Sequence, residues 1–152
     1  GMTILIINVH MQTTSFDRMR SKATQARGEQ DEEQERGIYL GYSDNFRENT
    51  VRRAGQAEQI SSLINATEYP LIVCGDFNDS PISYTHRVVG EGLNDAFVES
   101  GNGFGISYNQ NHFYFRIDNI LLSKNLKSYR CTVDNTIKSS DHYPIWCYVA
   151  EK

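Results

Sequence analysis

The feature that most constrains this fold is the apolar run 71–74 (LIVC), which leads directly into the turn-forming segment 75–81 (GDFNDSP). Four apolar residues between polar ones are too few for a buried helix, and such a run is typical of a strand that is buried on both faces. A second run of this kind lies at 4–7 (ILII). We therefore expect two buried strands, each of which ends in polar residues.

Apolar side chains recur every three or four residues from position 51 to position 66. This spacing predicts a helix over 51–66 with one buried stripe, and Asn49 or Thr50 is its expected N-terminal cap. Another helix is expected over 15–26, and the acidic stretch that follows it is either a solvated helix face or a loop.

The second half of the chain alternates short helices with strands and turns. We expect helices over 83–89 and 93–99, a glycine-rich loop over 101–105, strands over 113–122, 129–133 and 145–149, and turns over 123–125 and 139–143. Residues 2–152 then form one α/β domain of the α+β type, a mixed sheet with helices on one face. Gly1, ahead of Met2, is interpreted as the remnant of an expression tag.

Composition excludes several classes of protein. Fifteen Lys and Arg against nineteen Asp and Glu give a net charge of −4, which argues against a broad basic face for long nucleic acids but leaves a local phosphate site open. The sequence has no apolar run of membrane-spanning length and no signal segment, and the localisation stays unknown. The three cysteines form no CxxC pair, so we interpret them as small buried thiols.

Four short polar segments come at or near the ends of predicted strands. They are 8–10 (NVH), 75–78 (GDFN), 116–119 (RIDN) and 140–142 (SDH). If the strands lie side by side, these segments converge at one edge of the sheet, which is where α/β proteins usually build their sites. Three carboxylates, an amide and two imidazoles would then meet in one pocket.

Such a set of side chains is suited to the hydrolysis of a phosphate ester. Carboxylates bind a hard divalent cation such as Mg²⁺, which takes substrate phosphate as a further ligand. An imidazole backed by a carboxylate can be held protonated against a phosphoryl oxygen, and positioning with charge neutralisation supplies most of the catalysis. Because no Ser or Cys lies in a nucleophile-elbow context, covalent acyl chemistry has little support.

Each polar residue also has a purely structural interpretation. Asp76 and Asn78 can hydrogen-bond within a turn, and Asp118 inside an apolar strand can form an ion pair with Arg116. Asp141 can belong to a loop pair with the histidine that follows it. It is the presence of all four segments, in this order at strand ends, that favours a site.

The remaining features are assigned structural roles. We expect His86 and His112 at the surface, ion pairing with nearby acids at Arg52 and Arg53, and sheet packing rather than base stacking for the aromatic cluster 113–115. The acidic run after the first helix lacks the spacing of a calcium-binding loop.

The ordered motifs NVH, GDFN, RID and SDH resemble those of the endonuclease/exonuclease/phosphatase superfamily, which has the DNase-I-like fold. The stretches LIVCGDFNDSP, FRIDNILLS and SSDHYPI carry the resemblance, together with the helical sequence VRRAGQAEQISSLI, over residues 4–149. The resemblance implies a Mg²⁺- or Mn²⁺-dependent phosphoesterase of the phosphodiesterase, endonuclease or phosphatase type. Its substrates would be DNA, RNA, inositol phosphates or sphingomyelin.

The resemblance also implies roles at the phosphate and the metal. Asp76 would orient and activate the attacking water, and Asn78 would help to hold the phosphate. Asp141 would be a metal ligand. His10 would lie over the phosphate, opposite a second histidine.

That second histidine is His142, which would contact the scissile phosphate as an acid/base or as an electrostatic stabiliser. Asp118 would fix its orientation. Asn119 stands where relatives commonly have an aromatic residue, which implies a local change in packing without loss of a catalytic group.

Two family residues have no match. The first half of the longer family domain supplies an early Asn and, further on, a Glu that is a principal metal ligand, whereas Glu29, Glu32 and Glu33 follow the strand of His10 and do not match that Glu. The resemblance therefore implies the C-terminal half of a four-layer α/β sandwich, with a weakly bound metal and the N-terminal half as a missing partner. This chain would then be incomplete for catalysis.

The expected half-domain leaves one sheet face uncovered. We therefore predict a homodimer that buries this face, and we keep a non-catalytic binding or interaction module as the alternative function. The continuation QTTSF after the first strand resembles bacterial relatives, some of which carry membrane segments upstream.

Overall fold

The computed structural model describes residues 1–14, 16–28, 31–109 and 114–152. Its elements in chain order are β1 (Leu5–His10), α1 (Phe16–Gly28), α2 (Glu32–Ala66), β2 (Leu71–Asp76), α3 (Tyr84–Val89), β3 (Asn94–Asp95), α4 (Ala96–Ser100), β4 (Asp118–Leu122), β5 (Leu126–Val133) and β6 (Ile145–Glu151). No helix within these ranges is both long enough and apolar enough to cross a membrane.

The main sheet has four strands in the order β1-β2-β4-β3. β1 runs parallel to β2, whereas β4 is antiparallel to both of its neighbours. The predicted α+β fold with a mixed sheet is therefore confirmed. Its helices α2 and α3 pack on one face, where Ala57 and Ile64 contact a core that includes Val73 and Val89.

β1 is less buried than its apolar sequence predicts. Ile6 is 63% exposed and Leu5 is 38% exposed, so the expectation of a strand buried on both faces is wrong. Within the described part of the chain β1 pairs with β2 alone and lies at the edge of the sheet. An apolar run does not reveal whether its strand is central or at an edge.

α2 begins much earlier than predicted. Asp31 caps it by accepting a hydrogen bond from the backbone N–H of Gln34, and the helix continues through the proposed cap position at 49–50. Asn49 instead donates its side-chain amide to Asn45 one turn earlier, at 2.6 Å. The acidic residues that the structure describes therefore lie on an exposed helix, which is one of the two expected alternatives.

The last two strands form a ribbon of their own. β5 and β6 pair with each other as a separate two-stranded sheet instead of joining the main sheet. The inner face of the ribbon packs on the other side of the main sheet, where Leu126 and Cys131 contact Leu122. Its outer face carries Trp146 and Tyr148, with their rings edge-on at 5.7 Å.

The three cysteines are free thiols, but the expectation that they are buried holds for Cys131 alone, because Cys74 and Cys147 are partly exposed. The predicted helix over 93–99 is a two-residue strand, β3, followed by α4. Asp95 caps the N-terminus of α4, because its carboxylate accepts hydrogen bonds from the backbone N–H groups of Phe97 and Val98. The predicted strand over 113–122 is shorter than expected, because β4 starts at Asp118.

Candidate active site

The ends of three strands meet at one edge of the main sheet. His10 at the end of β1 lies opposite Asp76 at the end of β2, and Asp76 lies opposite Asp118 at the start of β4. Parallel β1 and β2 end at the same edge, and antiparallel β4 begins there. The predicted convergence is therefore present for three of the four polar segments through strand register alone.

Gly75 permits the close approach of β1 and β2 at this edge. Its φ is +133°, and a Cβ at this position would lie 2.0 Å from the carbonyl oxygen of Val9. No L side chain fits that space without moving the backbone. The glycine of the GDFN motif is thus required by the pairing that places His10 beside Asp76.

The fourth segment reaches the edge from the loop before β6. His142 Nδ1 lies 2.8 Å from Asp118 Oδ2. The hydrogen bond to Asp118 raises the pKa of His142, and partial burial only partly opposes this effect. Ser107 Oγ accepts hydrogen bonds from the N–H groups of Ile117 and Asp118, at 3.0 Å each, and so fixes the start of β4.

Asp76 and Asn78 are bound to each other. Asp76 Oδ1 accepts the backbone N–H of Asn78 at 2.7 Å, and Asp76 Oδ2 accepts its side-chain amide at 2.9 Å. The second amide hydrogen bond of Asn78 goes to the carbonyl of Met11 at 3.0 Å. Burial raises the pKa of Asp76, and the Asp118 carboxylate adds to this, although the backbone N–H of Asn78 lowers it.

Ligand atoms of Asp76, Asp118 and His142 all lie within 4.8 Å of one another. They line a cavity of about 690 Å³, and every predicted site residue lines this same cavity: His10, Asp76, Asn78, Asp118, Asp141 and His142. The side chain of His10 is 75% exposed, with Nε2 3.6 Å from Asp76 Oδ2. Asp141 is exposed and accepts a hydrogen bond from the Ser140 hydroxyl at 3.1 Å.

Arg53 also lines the cavity, and its predicted ion pair with an acid is confirmed, although its burial between two loops was not predicted. It is only 2% exposed, and its guanidinium donates to the carbonyl of Gln12 at 3.0 Å and to Thr14 Oγ1 at 2.8 Å. Its Nε donates to Asp79 Oδ2 at 3.3 Å. Arg53 thus joins the loop after β1 to the loop after β2. The sequence does contain a signal for this burial, because Arg53 comes four residues before Ala57 and so lies on the buried stripe of the helix.

A second network corrects two expectations. Arg116 does not pair with Asp118 but binds Asp95 through both terminal nitrogens, at 2.6 and 3.2 Å. His86, expected at the surface, has a side chain only 13% exposed and bonds the same carboxylate at 3.2 Å. Asn119 is fully buried and accepts a hydrogen bond from Arg116 at 2.7 Å. The pairing of Arg116 with Asp95 leaves Asp118 to His142. His112 lies outside the described residues.

The sequence model described as "Endonuclease/Exonuclease/phosphatase family" matches residues 18–142. The chain belongs to this family. Members of the endonuclease/exonuclease/phosphatase family are hydrolases that act on phosphate esters. No curated protein matches the sequence.

Solved structures show the same fold. An endonuclease/exonuclease/phosphatase from Bacteroides vulgatus superposes with a TM-score of 0.57 at 19% identity, over 68% of this chain and 45% of that one. A functionally unknown conserved protein from Enterococcus faecalis V583 superposes with a TM-score of 0.55 at 19% identity, over 68% of this chain and 46% of that one. Truncated TDP2 from Caenorhabditis elegans superposes with a TM-score of 0.54 at 17% identity, over 95% of this chain and 53% of that one. The chain thus spans about half the length of the solved structures it matches.

Proposed function

We propose that this member of the endonuclease/exonuclease/phosphatase family is a divalent-metal-dependent phosphoesterase that uses water as the nucleophile. The observation that carries the proposal is the meeting of Asp76, Asp118 and His142 within 4.8 Å in a cavity large enough for a substrate. Two carboxylates and an imidazole this close, at the edge of a sheet, match the needs of phosphate-ester hydrolysis.

The side chains divide the chemistry between them. Asp76 accepts a proton from, and so orients, the attacking water. His142, held by Asp118 through Nδ1, offers its other nitrogen to a phosphoryl oxygen or the leaving group. His10, largely exposed, contacts the phosphate from the opposite side. Because the side-chain amide of Asn78 donates hydrogen bonds to the Met11 carbonyl and to Asp76, its first role is to position Asp76; direct phosphate contact by Asn78 stays a prediction.

The donor set fits a hard divalent cation. Burial and the neighbouring Asp118 raise the pKa of Asp76, and a nearby cation would favour its ionised form. Mg²⁺ or Mn²⁺ would be held by Asp141, which lines the same cavity as Asp76, and weakly so in this chain. When bound, the cation supplies charge neutralisation at the phosphate.

Hydrolysis of bis(p-nitrophenyl) phosphate tests this function, and the enzyme assayed is a longer form of the protein that spans the whole family domain, because this chain spans about half of the length of the solved structures it matches. We expect turnover with Mg²⁺ that EDTA removes, and a loss of about 100- to 10,000-fold in Asp76→Asn. Asp44→Asn, an exposed carboxylate on α2, is the matched control and keeps the wild-type rate. Turnover that survives EDTA, or that Asp76→Asn leaves unchanged, contradicts the proposal.

The second candidate is a non-catalytic half-domain that acts as an interaction module or a homodimer. Exposed apolar side chains favour it, because Ile6 on β1 is 63% exposed and Tyr148 on β6 is 61% exposed. Light scattering at micromolar concentration would then show a dimer that Ile6→Lys dissociates. A monomer contradicts the homodimer, and Mg²⁺-dependent turnover well above a His142→Ala control contradicts the non-catalytic half-domain.

A further inference from the structure

The aromatic segment before β4 does not pack in the sheet. Phe115 is 45% exposed and Tyr114 is 56% exposed, so the expectation of sheet packing is wrong for both, and Phe113 lies outside the described residues. The ring of Phe115 lines the cavity of the candidate active site, whereas Tyr114 lines a different one. The two neighbours therefore offer a matched pair of exposed rings, one at the site and one away from it.

Backbone pairing puts Phe115 in line with His142. Tyr108 and Phe115 exchange two N–H···O bonds, at 3.0 and 3.1 Å, and Tyr108 also pairs with His142 on its other side. Residues directly opposite each other in antiparallel pairing present their side chains on the same face. The three side chains therefore form a row, with the Tyr108 ring centroid 5.2 Å from that of His142.

A third ring approaches the cavity from α2. Phe46 is 41% exposed and lines the cavity together with Ile117, Tyr108 and Phe115. One part of the cavity is thus an aromatic and apolar wall, and the other part holds the carboxylates and imidazoles. A group attached to a phosphate at His142 would meet this wall within about one or two strand spacings, roughly 5–10 Å.

The charges of the cavity limit how many phosphates a ligand can carry. Among the described residues that line it, Arg53 is the only Lys or Arg. Arg53 is 2% exposed, and its donors bind the loops after β1 and β2. A ligand with several phosphates would need additional exposed cations, which bind phosphate through charge-assisted hydrogen bonds. The wall and the charge together favour a ligand with a single phosphate and a flat apolar group.

We infer that the substrate is a phosphate ester with one phosphoryl group and an aromatic group, and that the aromatic group stacks on Tyr108 and Phe115. This inference rests on the proposed function, because it uses the same cavity. A nucleobase and a phenol share the required chemistry. A cavity of about 690 Å³ is within the usual range of small-ligand sites and larger than a lone phosphate requires.

Equilibrium binding separates this inference from the proposed function, because it needs no turnover. Calorimetric titrations of the chain in Mg²⁺ buffer would compare adenosine 5′-monophosphate and phenyl phosphate with ribose 5-phosphate, which carries the phosphate without the ring. We expect at least one ring-bearing ester to bind about 10-fold or more tightly than ribose 5-phosphate, which is within the range of a single stacking contact. Preference for the nucleotide identifies a nucleobase, and preference for phenyl phosphate identifies a phenol.

Substitutions at Phe115 and Tyr114 test whether the preference for ring-bearing esters depends on the aromatic wall. Phe115→Ala should reduce it to less than about 3-fold, and Phe115→Tyr should retain it. Tyr114→Ala, the matched ring outside the cavity, should also retain it. Circular dichroism checks that the exposed substitutions leave the fold intact.

Three results overturn the inference: equal affinity for all three ligands, no binding of either ring-bearing ester at millimolar concentration, or a preference that Phe115→Ala leaves unchanged. Ring-dependent binding without hydrolysis would overturn only the proposed function. Metal-dependent hydrolysis with ring-independent affinity would overturn only this inference.

Discussion

Two of the three His–Asp pairs in the described part of the chain have similar geometry and different surroundings. In the cavity, His142 lies 2.8 Å from Asp118, with the imidazole 28% exposed and a second carboxylate close by. On α3, His86 lies 3.2 Å from Asp95, which also binds Arg116 and caps α4. The two pairs therefore differ in surroundings rather than in geometry: the His142 imidazole lines a cavity, whereas the carboxylate of Asp95 is shared among His86, Arg116 and the N-terminus of α4.

The largest expected difference between the pairs is in turnover. His142→Ala should lower Mg²⁺-dependent phosphodiester hydrolysis by about 100- to 10,000-fold, because it removes the imidazole that we propose contacts the phosphate. His86→Ala should leave the rate per folded molecule unchanged. Its effect should be on stability, about 1–3 kcal/mol in urea unfolding, because it removes a partner of a buried carboxylate. Equal losses of turnover in both variants would contradict the distinction.

Arg116→Met should produce the largest loss of stability. Asp95 would remain buried without the two guanidinium bonds, at 2.6 and 3.2 Å, that neutralise it. We expect the free energy of unfolding to fall by about 3 kcal/mol. Chemical denaturation at neutral pH measures this loss, and Arg52→Met, at an exposed i,i+4 pair with Glu48, is the control. A loss no greater than in the control would show that the network contributes little.

Acid should weaken the structural pair within a defined pH range. Burial alone would raise the pKa of Asp95, but hydrogen bonds from His86 and Arg116 outweigh it and lower the pKa to about 2. The stabilisation is therefore complete above the ordinary pKa, 3.8, and is lost as the pH falls towards about 2. We expect the free energy of unfolding to fall by about 1–2 kcal/mol over this pH range. The midpoint of urea unfolding, measured at each pH, follows this loss. Asp95→Asn should flatten that dependence, and an unchanged slope would contradict it.

The smallest effect should come from Asp118→Asn. Its carboxylate bonds the imidazole of His142 and raises the pKa of Asp76, so removing the negative charge of Asp118 also relieves repulsion with Asp76. The free energy of unfolding should change by less than about 1 kcal/mol. Thermal unfolding of Asp118→Asn and of Asp95→Asn, measured side by side, compares the two losses of stability. If both variants lost the same stability, Asp118 would have a structural role like that of Asp95.

The edge of the sheet was predictable because it depends on local sequence. A short apolar run with polar residues after it predicts a strand end, and parallel or antiparallel pairing then brings Asp76, Asp118 and His10 together. The second network was not predictable in this way. His86, Asp95 and Arg116 are separated by many residues, and nothing in their local patterns indicates that they share a site.

Two elements show the same limit at the level of the fold. The apolar sequence of β1 is typical of a central strand, yet its position at the edge depends on which strands pair with it. The first half of α2 has no apolar stripe, so its sequence predicts either a solvated helix or a loop. Its helical state depends on the cap at Asp31 and on packing against α1, which periodicity does not report.

The outer face of the β5–β6 ribbon has a practical consequence for spectroscopy. Trp146 is the single tryptophan of the chain, and it lies on β6 with 41% exposure. Its fluorescence therefore reports on the ribbon, whereas far-ultraviolet circular dichroism reports mainly on the 35 residues of α2 on the opposite side of the sheet. Because both pack on one sheet, the two signals should change at the same urea concentration. Coincident transitions would show that the protein unfolds as a single cooperative unit. A fluorescence change at lower urea concentration would show that the ribbon unfolds separately.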